Sequence, residues 1–255
     1  MSEGQVPTLV AHRGYMELYP ENTWVGLQAA LKAGACWVEF DVQMCADGHF
    51  ILLHDADFQR TSKLPVSVFD IGSDQLAGIS VHEPERLGDR HAPLPVSDLD
   101  TVLQKLSGFP NARAMVEIKQ ESLEHWGTEQ VMEALLEKLD PYRSQCVLIS
   151  YSDRALDYAR QRSPIDIGWV LDVYDRQHLS RAQSLRPQFL ICNAGKIPPQ
   201  QELWAGFWQW MLYDITDPAL ALQWAARGAE LIETRDIGAM LKHPLLARKA
   251  CAHGL

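Results

Sequence analysis

Cys36-Trp37-Val38-Glu39-Phe40-Asp41-Val42-Gln43-Met44-Cys45-Ala46-Asp47-Gly48-His49-Phe50-Ile51-Leu52-Leu53-His54 is the stretch on which the fold turns. Its first part reads as a strand with Val38, Phe40 and Val42 on one face and Glu39 and Asp41 on the other, because strand side chains alternate. Phe50 to His54 reads as a second strand, separated from Cys45 by only Ala46-Asp47-Gly48-His49. A parallel return needs a crossover of a dozen or more residues, so these two segments pair antiparallel. Asp47-Gly48 is a strong two-residue hairpin turn. It pairs Ala46 with His49, Cys45 with Phe50 and finally Asp41 with His54. Directly paired residues share a face, with Cβ atoms about 5 Å apart. The spacing therefore predicts His54 beside Asp41, and a slip of one residue would turn it away.

With that hairpin set aside, eight β-rich runs remain. They are Thr8 to His12, Cys36 to Val42, Met115 to Lys119, Val147 to Tyr151, Ile167 to Leu171, Phe189 to Cys192, Trp210 to Tyr213 and Leu231 to Thr234. Helical stretches separate most of them, opened by Asn22 or Thr23, Ser97 or Asp98, Ser152 or Asp153, and Asp217-Pro218. Such alternation implies parallel strands, and eight of them at this length imply a closed (β/α)8 TIM barrel of the α/β class. A doubly wound open sheet is the alternative; no G-x-G-x-x-G follows the first strand. The expectation is a single domain over residues 1–255, with an insertion at about 57–94 after the second strand. A connection that long is a functional element or a small subdomain.

The 255 residues are 47% hydrophobic and 22% charged, with 8 Trp, 7 Tyr and 7 Phe. Disorder is excluded, since it needs low hydrophobicity. Lys and Arg number 23 against 33 Asp and Glu, a net charge of −10. That leaves no basic footprint for nucleic acid. It also repels anionic ligands at long range, so an anion site requires locally concentrated positive charge or a metal. No apolar run is long enough to span a membrane. The start, Met1 to Gln5, lacks the basic and apolar regions of a signal peptide. Cysteines at 36, 45, 146, 192 and 251 are odd in number and without CxxC spacing, which reads as free thiols in a reducing cytoplasm.

Glu39 and Asp41 on the second strand and Glu117 on the third converge at neighbouring strand ends. Pointing inward, they need a compensating charge, and a hard divalent ion bound through oxygen supplies one. Pointing outward, they would only pair with helix residues. Zinc fits less well, since its sites favour His and Cys. His12 and His54 flank the same cluster, and two imidazoles on opposite sides of a phosphodiester serve as general base and general acid. Arg13, beside the turn residue Gly14, offers a planar fork for phosphate, and Lys119 shares the face of Glu117. Glu21, in Pro20-Glu21-Asn22-Thr23, is placed to orient Arg13 from behind. Three carboxylates, one divalent ion, Arg13 and Lys119 leave one positive charge, which suits a phosphodiester monoanion.

His12-Arg13-Gly14, Pro20-Glu21-Asn22-Thr23, Glu39-Phe40-Asp41-Val42, Asp47-Gly48, His54-Asp55 and Glu117-Ile118-Lys119 together resemble the glycerophosphodiester phosphodiesterases in order and spacing. The resemblance is highly specific over the first 120 residues and extends more weakly to about residue 240. It implies a barrel with a small insertion after the second strand, metal ligands at Glu39, Asp41 and Glu117, and acid/base roles for His12 and His54. Arg13 and Lys119 would hold phosphate oxygens, with Lys119 counted among the catalytic groups. The cofactor would be one divalent cation, Mg²⁺ or Ca²⁺. The small-molecule substrate would be a glycerophosphodiester such as glycerophosphocholine or glycerophosphoethanolamine, cleaved to glycerol 3-phosphate and an alcohol. That is a step of lipid and glycerol metabolism. Attack by the substrate's own hydroxyl through a cyclic phosphate and direct attack by water are both compatible with it.

The chain departs from the family pattern at Lys63-Leu64-Pro65, at Tyr213-Asp214-Ile215-Thr216 and at Glu233-Thr234-Arg235. These bear on substrate choice. Tyr151, Trp169 and Tyr213 either line a pocket for a choline head or simply pack the barrel. Two other readings stay open: a phosphodiesterase acting on lysophospholipids, and a barrel that binds phosphorylated ligands without turnover. The oligomeric state is not legible.

Overall fold

A computed structural model describes residues 5–253; the reading of Met1 to Gly4 lies outside them. Eight parallel strands form the core: β1 (Thr8–Ala11), β2 (Trp37–Met44), β3 (Arg113–Ile118), β4 (Cys146–Ser150), β5 (Asp166–Leu171), β6 (Phe189–Asn193), β7 (Gln209–Tyr213) and β8 (Ala229–Thr234). Each pairs with the next, and β1 pairs with both β2 and β8, closing the ring. The barrel, not the open sheet, is the fold. Period two sorts the side chains: Val38, Phe40 and Val42 face the outer helices, while Val10, Met115, Ile149, Ile191, Met211 and Leu231 pack inside the ring. On β2 the alternate positions are Glu39, Asp41 and Gln43, all buried. Polar groups thus replace the apolar filling on this strand.

Helix starts follow their caps. The Thr23 hydroxyl accepts from Gly26 N at 3.1 Å and opens the helix Trp24–Lys32. Asp98, Ser152 and Asp217 cap the helices that begin at Leu99, Asp153 and Pro218. Gly14 has φ +82, and a Cβ there would lie 2.6 Å from the Gly26 carbonyl carbon. Only glycine lets the loop after β1 rest on that helix.

The hairpin forms with a different turn. Met44 pairs with Phe50, Gln43 with Ile51 and Val42 with Leu52, one residue out of the expected register. Ala46-Asp47-Gly48 forms a three-residue loop closed by Cys45 N–H donating to His49 O at 2.8 Å, with Gly48 at φ +82. Asp47 is drawn into the following segment, where Oδ2 accepts from Ser73 N at 2.8 Å and Ser73 Oγ at 2.7 Å. The ladder partner of Asp41 is therefore Leu53, whose N–H donates to Asp41 O at 3.1 Å.

Between the hairpin and the helix Leu99–Leu106 lie short helices Gln59–Ser62 and Pro84–Leu87 and a two-stranded ribbon of Ser80–Val81 with Leu94–Pro95. Phe58, Val68, Ile71 and Ile79 cluster there against Ile51 and Leu53 of the hairpin. The expectation of five free thiols fails at two positions: Cys36 and Cys251 form a disulfide, with Cα atoms 5.1 Å apart. The barrel brings the tail beside the start of β2, where Cys251 N–H donates to Gly34 O at 2.9 Å. Cys45, Cys146 and Cys192 are free and buried. The argument from free thiols to a reducing compartment loses its basis. No helix among the described residues is long and apolar enough to cross a membrane.

Candidate active site

At the carboxyl ends of the strands, His12, Arg13, Glu39, His54, Glu117 and Lys119 border one cavity of about 170 Å³. Ile149, Val170, Ile191 and Met211 also line it. One oxygen each of Glu39, Asp41 and Glu117 lie within 4.8 Å of one another. Glu39 and Asp41 are buried by the alternation of β2, and Asp41 is aligned with Glu117 across the β2–β3 ladder.

Asp41 sits behind the cavity and is fully engaged. Asn22 Nδ2 donates to its Oδ2 at 2.9 Å, and Asp41 N–H donates to Asn22 Oδ1 at 3.0 Å. Arg13 Nε lies 3.0 Å from Oδ2 and Lys119 Nζ 3.3 Å from Oδ1. Burial alone would raise the Asp41 carboxyl, but Arg13 and Lys119 overcome it and hold the group well below the usual carboxylate range. Glu39 goes the other way: burial, then the negative charges of Asp41, Glu233 and Glu117, push it well above that range. Burial also raises Glu117, although Lys119 Nζ donates to its Oε1 at 2.7 Å. The chain's own cations do not neutralise this cluster. Three clustered oxygens with excess negative charge are a fitting donor set for one hard divalent cation.

Arg13 adopts φ +50 at the end of β1. This turn directs its N–H to Glu39 Oε2 at 2.9 Å and its guanidinium toward Asp41 and Glu21, with Nη1 3.0 Å from Glu21 Oε1. His12 Nε2 lies 3.9 Å from Glu39 Oε2. Burial, reinforced by the Arg13 charge, lowers His12 to about 3. A neutral imidazole can accept a proton.

His54 reaches the cavity by a route the expected ladder does not describe. The chain leaves the hairpin after Leu53, so His54 no longer obeys strand alternation, and its carbonyl accepts from Gln43 Nε2 at 3.2 Å. Its Nδ1 lies 2.7 Å from Asp55 Oδ1, Asp55 Oδ2 accepts from Arg60 Nε at 2.7 Å, and Arg60 continues to Glu21. Glu21 N–H donates to Glu83 Oε2 at 2.7 Å. Arg60 and Glu83 come from the 57–94 segment, and nothing periodic in the sequence singles them out.

Sequence reasoning also passed over Glu233 as a site group. It faces the same cavity from β8 and is 4% exposed. One of its oxygens lies within 4.8 Å of a His12 nitrogen and a Glu39 oxygen. Two-residue spacing from inward Leu231 is the signal that could have found it. With four carboxylates, the same charge count with one divalent ion falls to zero instead of one positive.

A wider cavity of about 530 Å³ adjoins, sharing Glu117, Lys119 and Tyr151 with the first. Trp169 both packs and lines: it is buried, donates from Nε1 to Tyr151 O at 3.1 Å, and stacks on His178 with ring centres 5.6 Å apart. The Tyr151 and Tyr213 hydroxyls are 2.9 Å apart.

Comparison with known proteins gives a consistent result. The family model described as "Glycerophosphoryl diester phosphodiesterase family" matches residues 12–190. A glycerophosphodiester phosphodiesterase of Bacillus altitudinis is 32% identical over 131 residues, 51% of this chain and 52% of that protein. One from Caldanaerobacter subterraneus subsp. tengcongensis is 26% identical, over 61% of this chain and 63% of the relative. The chain thus spans about half to somewhat under two thirds of the length of these curated relatives. Among solved structures, an Oleispira antarctica phosphodiesterase in complex with the product sn-glycerol-3-phosphate superposes with a TM-score of 0.80 at 22% identity, covering 93% of this chain and 96% of that one. A Parabacteroides distasonis glycerophosphodiester phosphodiesterase gives 0.79 at 17%, covering 96% and 99%. At these identities the superpositions establish the shared fold.

Proposed function

The chain belongs to the glycerophosphoryl diester phosphodiesterase family, and from that premise we propose that it hydrolyses glycerophosphodiesters, such as glycerophosphocholine or glycerophosphoethanolamine, to glycerol 3-phosphate and an alcohol. The observation that carries this reading is one cavity bordered by both His12 and His54 beside three clustered carboxylates. The glycerol 3-phosphate bound by the Oleispira antarctica relative is the product such a reaction releases.

Glu39, Asp41 and Glu117 would hold one divalent cation, Mg²⁺ or Ca²⁺. When bound, that ion supplies Lewis-acid polarisation of a phosphoryl oxygen and charge for the transition state. Lys119 and Arg13 add fixed positive charge toward the phosphate. His12, kept neutral by burial, takes the proton of the attacking hydroxyl. His54, with Nδ1 committed to Asp55, presents Nε2 to protonate the leaving alcohol. Glu21 fixes Arg13 from behind through the 3.0 Å contact. Attack by the substrate's own glycerol hydroxyl places nucleophile and phosphorus in one molecule, which favours a cyclic phosphate that water then opens.

The walls of the wider cavity carry Glu121, Asp153, Asp172, His178 and Arg181, polar groups poorly matched to a lysophospholipid chain. Release of glycerol 3-phosphate from glycerophosphocholine, with and without EDTA, tests the proposal. Metal-dependent release supports it. Binding of the diester without turnover makes the protein a ligand-binding barrel instead.

A further inference from the structure

Glu233 is a carboxylate in a barrel interior that otherwise takes branched apolar side chains. Its backbone carbonyl accepts from Ile215 N–H at 3.3 Å, but among the described residues its carboxylate has no hydrogen-bond or ion-pair partner, although the residue is 4% exposed and borders the cavity. Buried acceptors are nearly always paired. The Glu233 carboxylate lines the cavity instead of meeting a protein donor, so its partner comes from what fills that cavity.

A glycerophosphodiester brings two hydroxyls. One is the nucleophile, taken by His12 in the reading above; the other sits one carbon away. Glu233 has an oxygen within 4.8 Å of a His12 nitrogen, close enough for a hydroxyl one carbon from the nucleophile to reach it. Ile149, Val170, Ile191 and Met211 line the same cavity of about 170 Å³, which is too small to hold an acyl chain beside the diester. We propose that Glu233 accepts a hydrogen bond from the terminal glycerol hydroxyl and thereby selects diesters whose glycerol carries no acyl group. An ester in that position offers no hydrogen for Glu233 to accept. A site built to bind a hydroxyl rejects the analogue that lacks it far more strongly than an apolar pocket rejects an extra group.

This inference rests on the proposed hydrolase activity, and the test separates the two. The metal-loaded enzyme is given glycerophosphocholine and its propane-1,2-diol analogue, in which the terminal hydroxyl is replaced by hydrogen. Wild type should lose on the order of 10- to 100-fold in kcat/KM on the analogue, mostly in KM. Glu233→Leu should treat the two substrates nearly equally, while Glu233→Gln, which keeps an acceptor, should retain part of the preference. Indifference of wild type to the hydroxyl overturns the inference, as does a folded Glu233→Leu that still discriminates. Metal analysis showing two divalent ions per wild-type chain and one in Glu233→Leu also overturns it, because Glu233 would then be a ligand. If Glu233→Leu does not fold, the wild-type pair and Glu233→Gln still decide. Wild type that cleaves neither diester removes the hydrolase reading itself.

Discussion

Arg60 grips Glu21 through both carboxylate oxygens, Nη1 to Oε2 at 2.7 Å and Nη2 to Oε1 at 2.8 Å. Its Nε lies 2.7 Å from Asp55 Oδ2. One guanidinium thus ties the partner of His54 to the partner of Arg13. Arg60→Ala should lower kcat and destabilise the fold by about 1–2 kcal/mol, since Glu21 stays buried with half its partners gone. Arg60→Lys should rescue little, because a point charge cannot span both carboxylates. Steady-state kinetics and urea unfolding measure the two effects.

His54→Ala should reduce kcat by about 10²–10⁴, the usual worth of a positioned acid or base. Calorimetric divalent-ion affinity should stay unchanged, because His54 is not in the carboxylate cluster. An unchanged metal-dependent rate would remove His54 from the chemistry.

Chelation should abolish turnover, and Mg²⁺ or Ca²⁺ should restore it. Asn22 touches Asp41 twice without joining the cluster itself. Asn22→Ala should therefore weaken metal affinity by about 10–100-fold, the typical effect of removing the group that orients a ligand. Titration of the ion against the variant, followed by calorimetry, reads this directly.

The buried carboxylates set a pH dependence for the ion-free protein. Burial raises Glu39, Glu117 and Glu233, so the stability they give is full below the ordinary carboxylate value of 4.5 and is lost as pH climbs through their folded values. Asp41, Glu21 and Asp55 are lowered, so their stabilisation is present above ordinary carboxylate values and disappears as acid protonates them. The unfolding free energy of the chelated protein should peak in mild acid and fall toward neutrality, by about 1.4 kcal/mol per pH unit for each extra proton the folded state holds, and Tm should follow it. A saturating divalent ion should flatten the neutral side. A chelated protein with constant Tm from mild acid to neutrality would show that the cluster is already compensated.

The ring was legible because strand and helix alternate and each helix carries its cap. Period two put Glu39 with Asp41 and Glu117 with Lys119 on shared faces, while the choice between an inward and an outward face needed the barrel. The hairpin register was not legible: Asp47-Gly48 suits both a two-residue and a three-residue loop, and in the three-residue form Asp47 is bonded by Ser73, 26 residues along the chain. His54 reached the cavity despite the slip, because its segment had already left the ladder. Glu233 and the Cys36–Cys251 bond both depend on the barrel bringing distant segments together. Arg60 and Glu83 lie in irregular chain, where no period predicts direction.

The seam between β1 and β8 joins Val10 to Glu233 and lets His12 N–H donate to Thr234 O at 3.0 Å. One flank of the cavity is therefore supplied by β1 and the other by β8. Closing the ring and completing the cavity lining are thus the same event, because Glu233 joins His12 only when β8 lies against β1.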